Sequence, residues 1–310
     1  MSKNFAVIGG DLRIVNLARL IAKDEKQVYV YGLEKVEEIK NISNLIITKT
    51  LEEAISKANF VIGPMPFSKD DINVNAPFSN KEISISDFFK KINNKIFIAG
   101  NFSSNVKEVI KENNIKYIDL MDQEELVILN ALSTAEGAIQ VAMENTNILL
   151  HGSKILILGF GRISKILANK LKALSVDVTC AARKKEDFAW MESYGYNSTD
   201  INKLNENLNQ YDIIFNTVPH LILTEERLKY VKKDCVLIDL ASKPGGIDKN
   251  AKYIWALALP GKVAPVTSAE FMKKTIYKMI EEGWKFNDIR NNKINYIWNC
   301  RRNYGMATNK

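Results

Sequence analysis

Two stretches of the chain share one pattern, and it limits the fold more than any other feature. Phe5 to Ala22 reads FAVIGGDLRIVNLARLIA, and Lys154 to Leu174 reads KILILGFGRISKILANKLKAL. Each is a short apolar strand, a turn carrying two glycines, then an amphipathic helix, which is how a nucleotide-binding βαβ unit begins. Two such starts in 310 residues predict two domains. The first turn is unusual, because Asp11 stands where a phosphate would approach.

Around these starts, strand-sized apolar runs alternate with helical patterns, which predicts parallel sheets covered by helices. The first set is Phe5–Ile8, Val28–Tyr31, Leu45–Ile47, Phe60–Ile62, Ile96–Ala99 and Tyr117–Ile118. The second is Ile155–Leu158, Val176–Ala181, Ile213–Phe215, Val236–Asp239 and Tyr253–Ala256. A helical stretch from Gln123 to about Asn145 links them. A helix from about Ser268 to Glu282 returns the chain to the first domain. The expected fold is α/β: two Rossmann-like parallel-sheet domains joined by long crossing helices, with a cleft between them. Residues 1–133, with the return helix and tail 268–310, form the first domain, for substrate or partner. Residues 134–267 form the nucleotide domain. The segment from Gly63 to Lys81, rich in Pro, Asn and Ser, follows a strand end, where functional loops of open α/β sheets sit. The basic tail after Trp284, with Trp298, Arg301 and Arg302, is expected to wrap the first domain or fray.

Composition narrows the function class. Apolar runs are strand-sized, short of the ~20 residues of a membrane span, and no secretory signal opens the chain. Cys180, Cys235 and Cys300 have neither metal-ligand nor disulfide-framework spacing, which fits a reducing cytoplasm. The net charge is +7, but the lysines are scattered and no aromatic–basic motif accompanies them. An anionic small ligand or solubility explains the charge better than nucleic acid or a membrane.

The turn Gly159-Phe160-Gly161-Arg162-Ile163-Ser164 has its strand, its helix and a following strand at the right distance. Gly159 makes the sharp turn, and Gly161 lets the backbone approach a pyrophosphate at the helix N-terminus. Ser164 stands where a third glycine is usual, which predicts slightly looser helix–strand packing. An NAD site carries an acid at the end of the next strand; here Cys180-Ala181-Ala182 leads into Arg183-Lys184-Lys185. Cations at that point suit a 2′-phosphate, so NADP is expected over NAD. Asn216, Thr217, Val218 and Pro219 at one strand end, and Ala241 and Ser242 at the next, are placed against the cofactor. The segments from Asp239 to Gly246 and from Leu259 to Thr267 read as loops on the nicotinamide and substrate side.

Taken together, GDLRIVNLA, GPMPFS, APFSN, TAEGAIQVAMENT, GFGR, NTVP, DLASKPGG and LPGKVAPVT resemble the family of dipicolinate synthase A-subunits. The resemblance runs from the N-terminus to about Thr267. The last motif also resembles the loop near the nicotinamide in methylene-tetrahydrofolate dehydrogenase. The family resemblance implies a sporulation enzyme of the mother cell of an endospore former, in its cytoplasm. It implies NADP-linked oxidation of dihydrodipicolinate to dipicolinate (pyridine-2,6-dicarboxylate). It also implies a partner, the flavoprotein-like second subunit of dipicolinate synthase. A homo-oligomer is possible. Ser164 and His220 depart from the family pattern.

A ring with two carboxylates calls for cations in the cleft. Lys262, near the expected nicotinamide position, is the first candidate for the chemistry. Arg13 and Lys243 are the next cations, expected to bind substrate, though both also read as surface charges. Ser68, Ser79 and Thr134 add hydroxyls, with turn or capping chemistry as the plainer reading of the two serines. For a general base the candidates are His220, at a strand end, and Glu136; His151 reads as a linker residue. Two other readings compete. One is a different NADP-linked dehydrogenase of small acids, of shikimate or tetrahydrofolate type. The other is a non-catalytic, nucleotide-sensing subunit.

Overall fold

The structure, a computed structural model, describes residues 4–92 and 94–282. The basic tail from 285 onward and Cys300 lie outside the described residues. The first sheet contains β1 (Phe5–Ile8), β2 (Val28–Tyr31), β3 (Leu45–Ile47), β4 (Phe60–Ile62), β5 (Ile96–Ala99) and β6 (Tyr117–Asp119). All pairings are parallel, in the order β3-β2-β1-β4-β5-β6. Its helices are α1 (Leu12–Lys23), α2 (Leu51–Ser56), α3 (Ile85–Lys91) and α4 (Ser104–Glu112). After the linking helix α5 (Glu124–Asn145), the second sheet repeats the plan. It contains β7 (Lys154–Leu158), β8 (Asp177–Ala182), β9 (Asn197–Asp200), β10 (Ile213–Asn216), β11 (Val236–Asp239) and β12 (Ile254–Trp255). The order is β12-β11-β10-β7-β8-β9, again all parallel. Its helices are α6 (Arg162–Ala173), α7 (Lys185–Ser193), α8 (Glu225–Leu228) and α9 (Leu259–Val263), and α10 (Pro265–Glu281) follows.

Each sheet is therefore doubly wound, and each changes direction at its first strand. Crossovers of this kind cover both faces with helices, so the central strands are apolar throughout. All four residues of β1 are buried, as are Ile155 to Leu158 of β7. Helix α1 turns Ile14, Val15, Leu17, Ala18, Ile21 and Ala22 into the first core. The return of α10 covers the same helix with Ala269, Met272, Ile276 and Met279. Cys180 and Cys235 are packing residues: burial pushes both thiols up to about 12.

The loop after β4 is held by one aromatic side chain. Phe67 is fully buried, and its ring centroid lies 5.2–5.7 Å from those of Phe88, Phe89, Phe97 and Phe102. That anchor lets a segment of irregular backbone return across the top of the sheet.

Three sequence expectations are corrected. Strand β9, Asn-Ser-Thr-Asp, has no apolar alternation because it is a partly exposed edge strand with only β8 beside it. Leu259 to Thr267 is not a loop: it is α9 plus the start of α10, each carrying proline in its first turn, where the missing N–H costs nothing. The chain also holds more than strand-sized apolar runs. Helix α5 has 22 residues and a mean hydropathy of 1.4 over an 18-residue window, enough by length and composition to cross a membrane. Its apolarity comes from Leu126, Val127, Ile128, Leu129, Leu132, Ile139 and Val141 together with alanines, and here Leu126, Ala131, Ala135, Gly137, Ala138 and Ala142 are buried, with α6, α9 and α10 packed along the helix.

Phe67→Ala is expected to destabilise the first domain by about 3–5 kcal/mol, from lost transfer energy plus a cavity. Urea unfolding of the variant and the parent checks this, and an unchanged midpoint would show that the loop anchors elsewhere.

Candidate active site

The turn after β7 is built to be left open. Gly159 takes φ +97°, and a Cβ there would lie 2.6 Å from Thr217 Oγ1 and 2.8 Å from Val218 Cγ2. Only glycine satisfies that combination. Two residues on, nothing among the described residues stands within 4 Å of where a Gly161 Cβ would be. Gly161 is the N-cap of α6, and no side chain caps the helix. Its first N–H groups are therefore free to meet an anion, with the helix dipole behind them. Ile163 is half-buried, and Phe160 is buried beneath Lys165, whose ammonium lies 5.3 Å from the ring centroid. Ser164 does not loosen the turn, as its sequence position suggested. It is fully buried and its Oγ lies 2.8 Å from Thr217 Oγ1, which in turn donates to the Leu158 carbonyl at 2.8 Å. The hydroxyl replaces glycine-type contact with a hydrogen bond between the first turn of α6 and the loop after β10.

Beside this turn, the ends of β10 and β11 are tied by a buried polar knot. Asn216 and Asp239 are both fully buried. Asn216 Nδ2 donates to Asp239 Oδ1 at 2.8 Å and to the Val218 carbonyl at 2.9 Å. Asp239 also accepts from the Ala241 N–H at 2.9 Å and the Gly246 N–H at 2.7 Å. Asn216 thus shapes the loop, with its amide bonded to Asp239 and Val218. Ala241 is also committed: its carbonyl accepts from Trp255 Nε1 at 2.9 Å. Pro219, His220, Ser242 and Lys243 are exposed beyond the knot, and Arg183 and Lys184 are exposed just after β8. These cations and His220 make no ion pair or hydrogen bond among the described residues. Arg162 does: it holds Glu124 of α5 through two bonds of 2.7 and 2.6 Å, which lower the Glu124 pKa and raise its own.

The first turn uses the same backbone plan and is filled. A Gly9 Cβ would lie 2.9 Å from Ala76 Cβ, and the Gly10 N–H donates to the Asn75 carbonyl at 2.8 Å. Asp11 caps α1 by accepting the Arg13 N–H at 3.0 Å. Glu34, after β2, occupies the place of the ribose-binding acid of an NAD site. It accepts instead from the Gly32 N–H at 2.6 Å and the Asn80 N–H at 3.2 Å. The chain's own loop takes the place of a dinucleotide.

Several expected substrate groups are used internally. Arg13 is only 5% exposed; it grips Asp11 at 2.7 Å and donates to the Met65 carbonyl. Ser68 Oγ donates to the Asn73 carbonyl at 2.6 Å and accepts the Asp71 N–H at 3.0 Å. Ser79 Oγ donates to the Lys81 carbonyl at 2.6 Å. Both serines are turn residues. Thr134 returns its hydroxyl to the Asn130 carbonyl at 2.9 Å within α5. Glu136 is exposed and paired with Lys170 of α6 at 2.8 Å, a surface ion pair between helices.

The two domains meet where α9 enters. A Gly261 Cβ would stand 2.7 Å from Asp11 Oδ2 and 3.2 Å from Arg13 Nε, so α9 lies directly on the ion pair of the first turn. On its other side a Gly137 Cβ would stand 3.1 Å from both Leu259 Cβ and a Val263 methyl. Ser133 Oγ lies 3.4 Å from Ser268 Oγ, which reaches the Pro260 carbonyl at 3.3 Å. Lys262 rises from this packed helix and is exposed, without a partner among the described residues. Sequence reasoning missed Asp239, Glu34 and Glu124. The first two stood at strand ends after a βα unit, which was the available signal.

Residues 4–121 match the family of N-terminal domains of the dipicolinate synthase A-subunit. Residues 110–251 match the family described as D-isomer specific 2-hydroxyacid dehydrogenase, NAD binding domain. The chain is 26% identical to the dipicolinate synthase A-subunit of Bacillus subtilis (strain 168) over 285 residues, 89% of this chain and 95% of that protein. Its fold is similar to the crystal structure of the dipicolinate synthase A-subunit from Bacillus halodurans, with a TM-score of 0.81 at 26% identity, covering 90% of this chain and 98% of that one. The crystal structure of the corresponding chain from Bacillus subtilis gives 0.80 at 25% identity, covering 91% and 97%. A transhydrogenase from Sinorhizobium meliloti, at 15% identity and a TM-score of 0.63 over 89% and 94%, shares the fold.

Gly161→Val is expected to leave the melting temperature nearly unchanged, since the added atoms meet open space. The same atoms stand where a pyrophosphate would approach, so dinucleotide affinity should fall about tenfold or more. Thermal unfolding and a binding titration separate the two effects.

Proposed function

We propose, from a chain that resembles the dipicolinate synthase A-subunit over 90% of its length, that it oxidises dihydrodipicolinate to dipicolinate with NADP. The coarser part is given by the comparisons: the second domain is of an NAD-binding dehydrogenase type. One observation supports the assignment of the dinucleotide to the second domain. The two domains share a turn, and only the second leaves it uncapped and open above Gly161, while Asp11 and Ala76 fill the first. The first domain is thereby given to substrate and to the seam.

A bound nicotinamide would supply the hydride acceptor. Gly159, Gly161 and the first turn of α6 would hold the pyrophosphate. Arg183 and Lys184, exposed and without an ion-pair partner among the described residues at the end of β8, suit a 2′-phosphate. Lys262, held by a helix packed on both domains, is the cation positioned to orient a carboxylate of the ring; Lys243 is a second. His220, on the loop after β10, is the remaining candidate for moving a proton. Arg13 serves indirectly, by fixing the surface on which α9 rests. The work occurs during sporulation in the mother cell's cytoplasm, with the flavoprotein-like second subunit. A non-catalytic, nucleotide-sensing role is the second reading, favoured by the commitment of Glu136 to Lys170.

The deciding experiment mixes the full chain, alone and with the flavoprotein-like second subunit, with dihydrodipicolinate and NADP, and follows absorbance in the NADPH and pyridine bands. Growth of both bands supports the proposal; silence in both, even with the flavoprotein-like component present, overturns it. Lys262→Met should lower turnover by about tenfold or more while NADPH still binds. Arg183→Ala should raise KM for NADPH much more than for NADH, and equal effects would remove the 2′-phosphate role.

A further inference from the structure

The knot at the ends of β10 and β11 contains a charge without a counter-charge. Asp239 is 0% exposed. Its bonded partners are Asn216 Nδ2 and the N–H groups of Ala241 and Gly246, which are all donors and all neutral. That is the partner set of an ionised carboxylate. Among the described residues no Lys, Arg or His forms an ion pair with it, and Lys243, in the same loop, is exposed and unpaired. The side chain is closed over by the Gly245–Gly246 backbone and the Trp255 ring, since a Gly245 Cβ would lie 2.9 Å from Asp239 Oδ2 and 3.2 Å from the indole. Three N–H donors offset part of the cost of burying the carboxylate, and no cation among the described residues cancels its field.

Its place suggests what that field acts on. In a doubly wound sheet the dinucleotide lies across the C-terminal strand ends at the switch point, here between β7 and β10. The cations that suit the adenosine side follow β8, so the nicotinamide falls on the side of β10 and β11, where Asp239 ends its strand. An oxidised nicotinamide ring carries a positive charge; a reduced one is neutral. We propose that Asp239 is a specificity-determining residue whose uncompensated charge makes the site favour the oxidised dinucleotide over the reduced one. A low-dielectric surround strengthens the attraction without any direct contact. The inference rests on the nicotinamide reading of the second domain and adds the direction in which the site is biased. A site biased in this way takes up its oxidant readily and lets the reduced product go.

The test titrates the full chain with NADP+ by calorimetry and with NADPH by its fluorescence, with NAD+ and NADH as a second pair. The native chain should bind the oxidised form at least as tightly as the reduced. Asp239→Asn should shift the ratio of the two dissociation constants about fivefold toward the reduced form, as loss of one nearby charge implies. Asp239→Glu, which keeps the charge and disturbs the knot, should hold the ratio within about twofold. A ratio unmoved by Asp239→Asn, or moved equally by Asp239→Glu, overturns the inference and assigns the residue to structure alone. Should Asp239→Asn not fold, the native ratio decides: a native chain that binds the reduced form about tenfold tighter overturns it. Binding with an unmoved ratio leaves the nucleotide reading standing, whereas failure of both pairs to bind removes the two together.

Discussion

The ion pair between Asp11 and Arg13 fixes more of this molecule than its size suggests. It is made within one turn of helix, yet it touches three separate parts of the chain. Asp11 caps α1, Arg13 reaches across to the Met65 carbonyl after β4, and Gly261 of α9 rests on both side chains. The start of the first helix, the loop above the first sheet and the last helix of the second domain are thereby set against one another. An arginine with several of its donors used, and only 5% exposed, is a rigid surface rather than a mobile arm. The width of the seam follows from it, and so does the position of Lys262 one residue beyond Gly261.

Two copies of one architecture have been taken in opposite directions. Both sheets have the same strand order, and in both the first strand leads through a glycine turn into a helix. In the first domain protein groups have taken every ligand position. Asp11 replaces the phosphate charge, Ala76 the volume over the glycine, and Glu34 binds backbone N–H groups in place of ribose hydroxyls. In the second domain the N-cap position matching Asp11 is Gly161, no described atom lies within 4 Å of where its Cβ would be, and the nearby polar groups bond to one another beneath it. The difference lies in what fills the turn, not in the turn.

The sequence made the sheets legible because parallel strands buried on both faces are apolar runs that periodicity detects. It made the open turn legible because Gly159 and Gly161 sit between such a strand and an amphipathic helix. It hid β9, whose residues Asn197 to Asp200 face solvent at an edge and carry no apolar signal. It hid α9, because a Pro-Gly pair reads as a loop until the neighbouring helices supply the packing. The site residues divided on a property that sequence does not carry, namely which partner a polar group finds. Arg13, Ser68, Ser79 and Asn216 found partners within the chain. Arg183, Lys243 and Lys262, no different in composition, did not among the described residues.

The contact between Gly137 and α9 has a mechanical consequence. Glycine inside a helix sacrifices up to about 1 kcal/mol of helix propensity, and here the loss allows the α5 backbone to approach Leu259 and Val263 directly. No side chain of α5 stands at that point to change rotamer and absorb a displacement. Displacing α9 along α5 at this point therefore requires the two backbones to move, because no rotamer change is available to take it up.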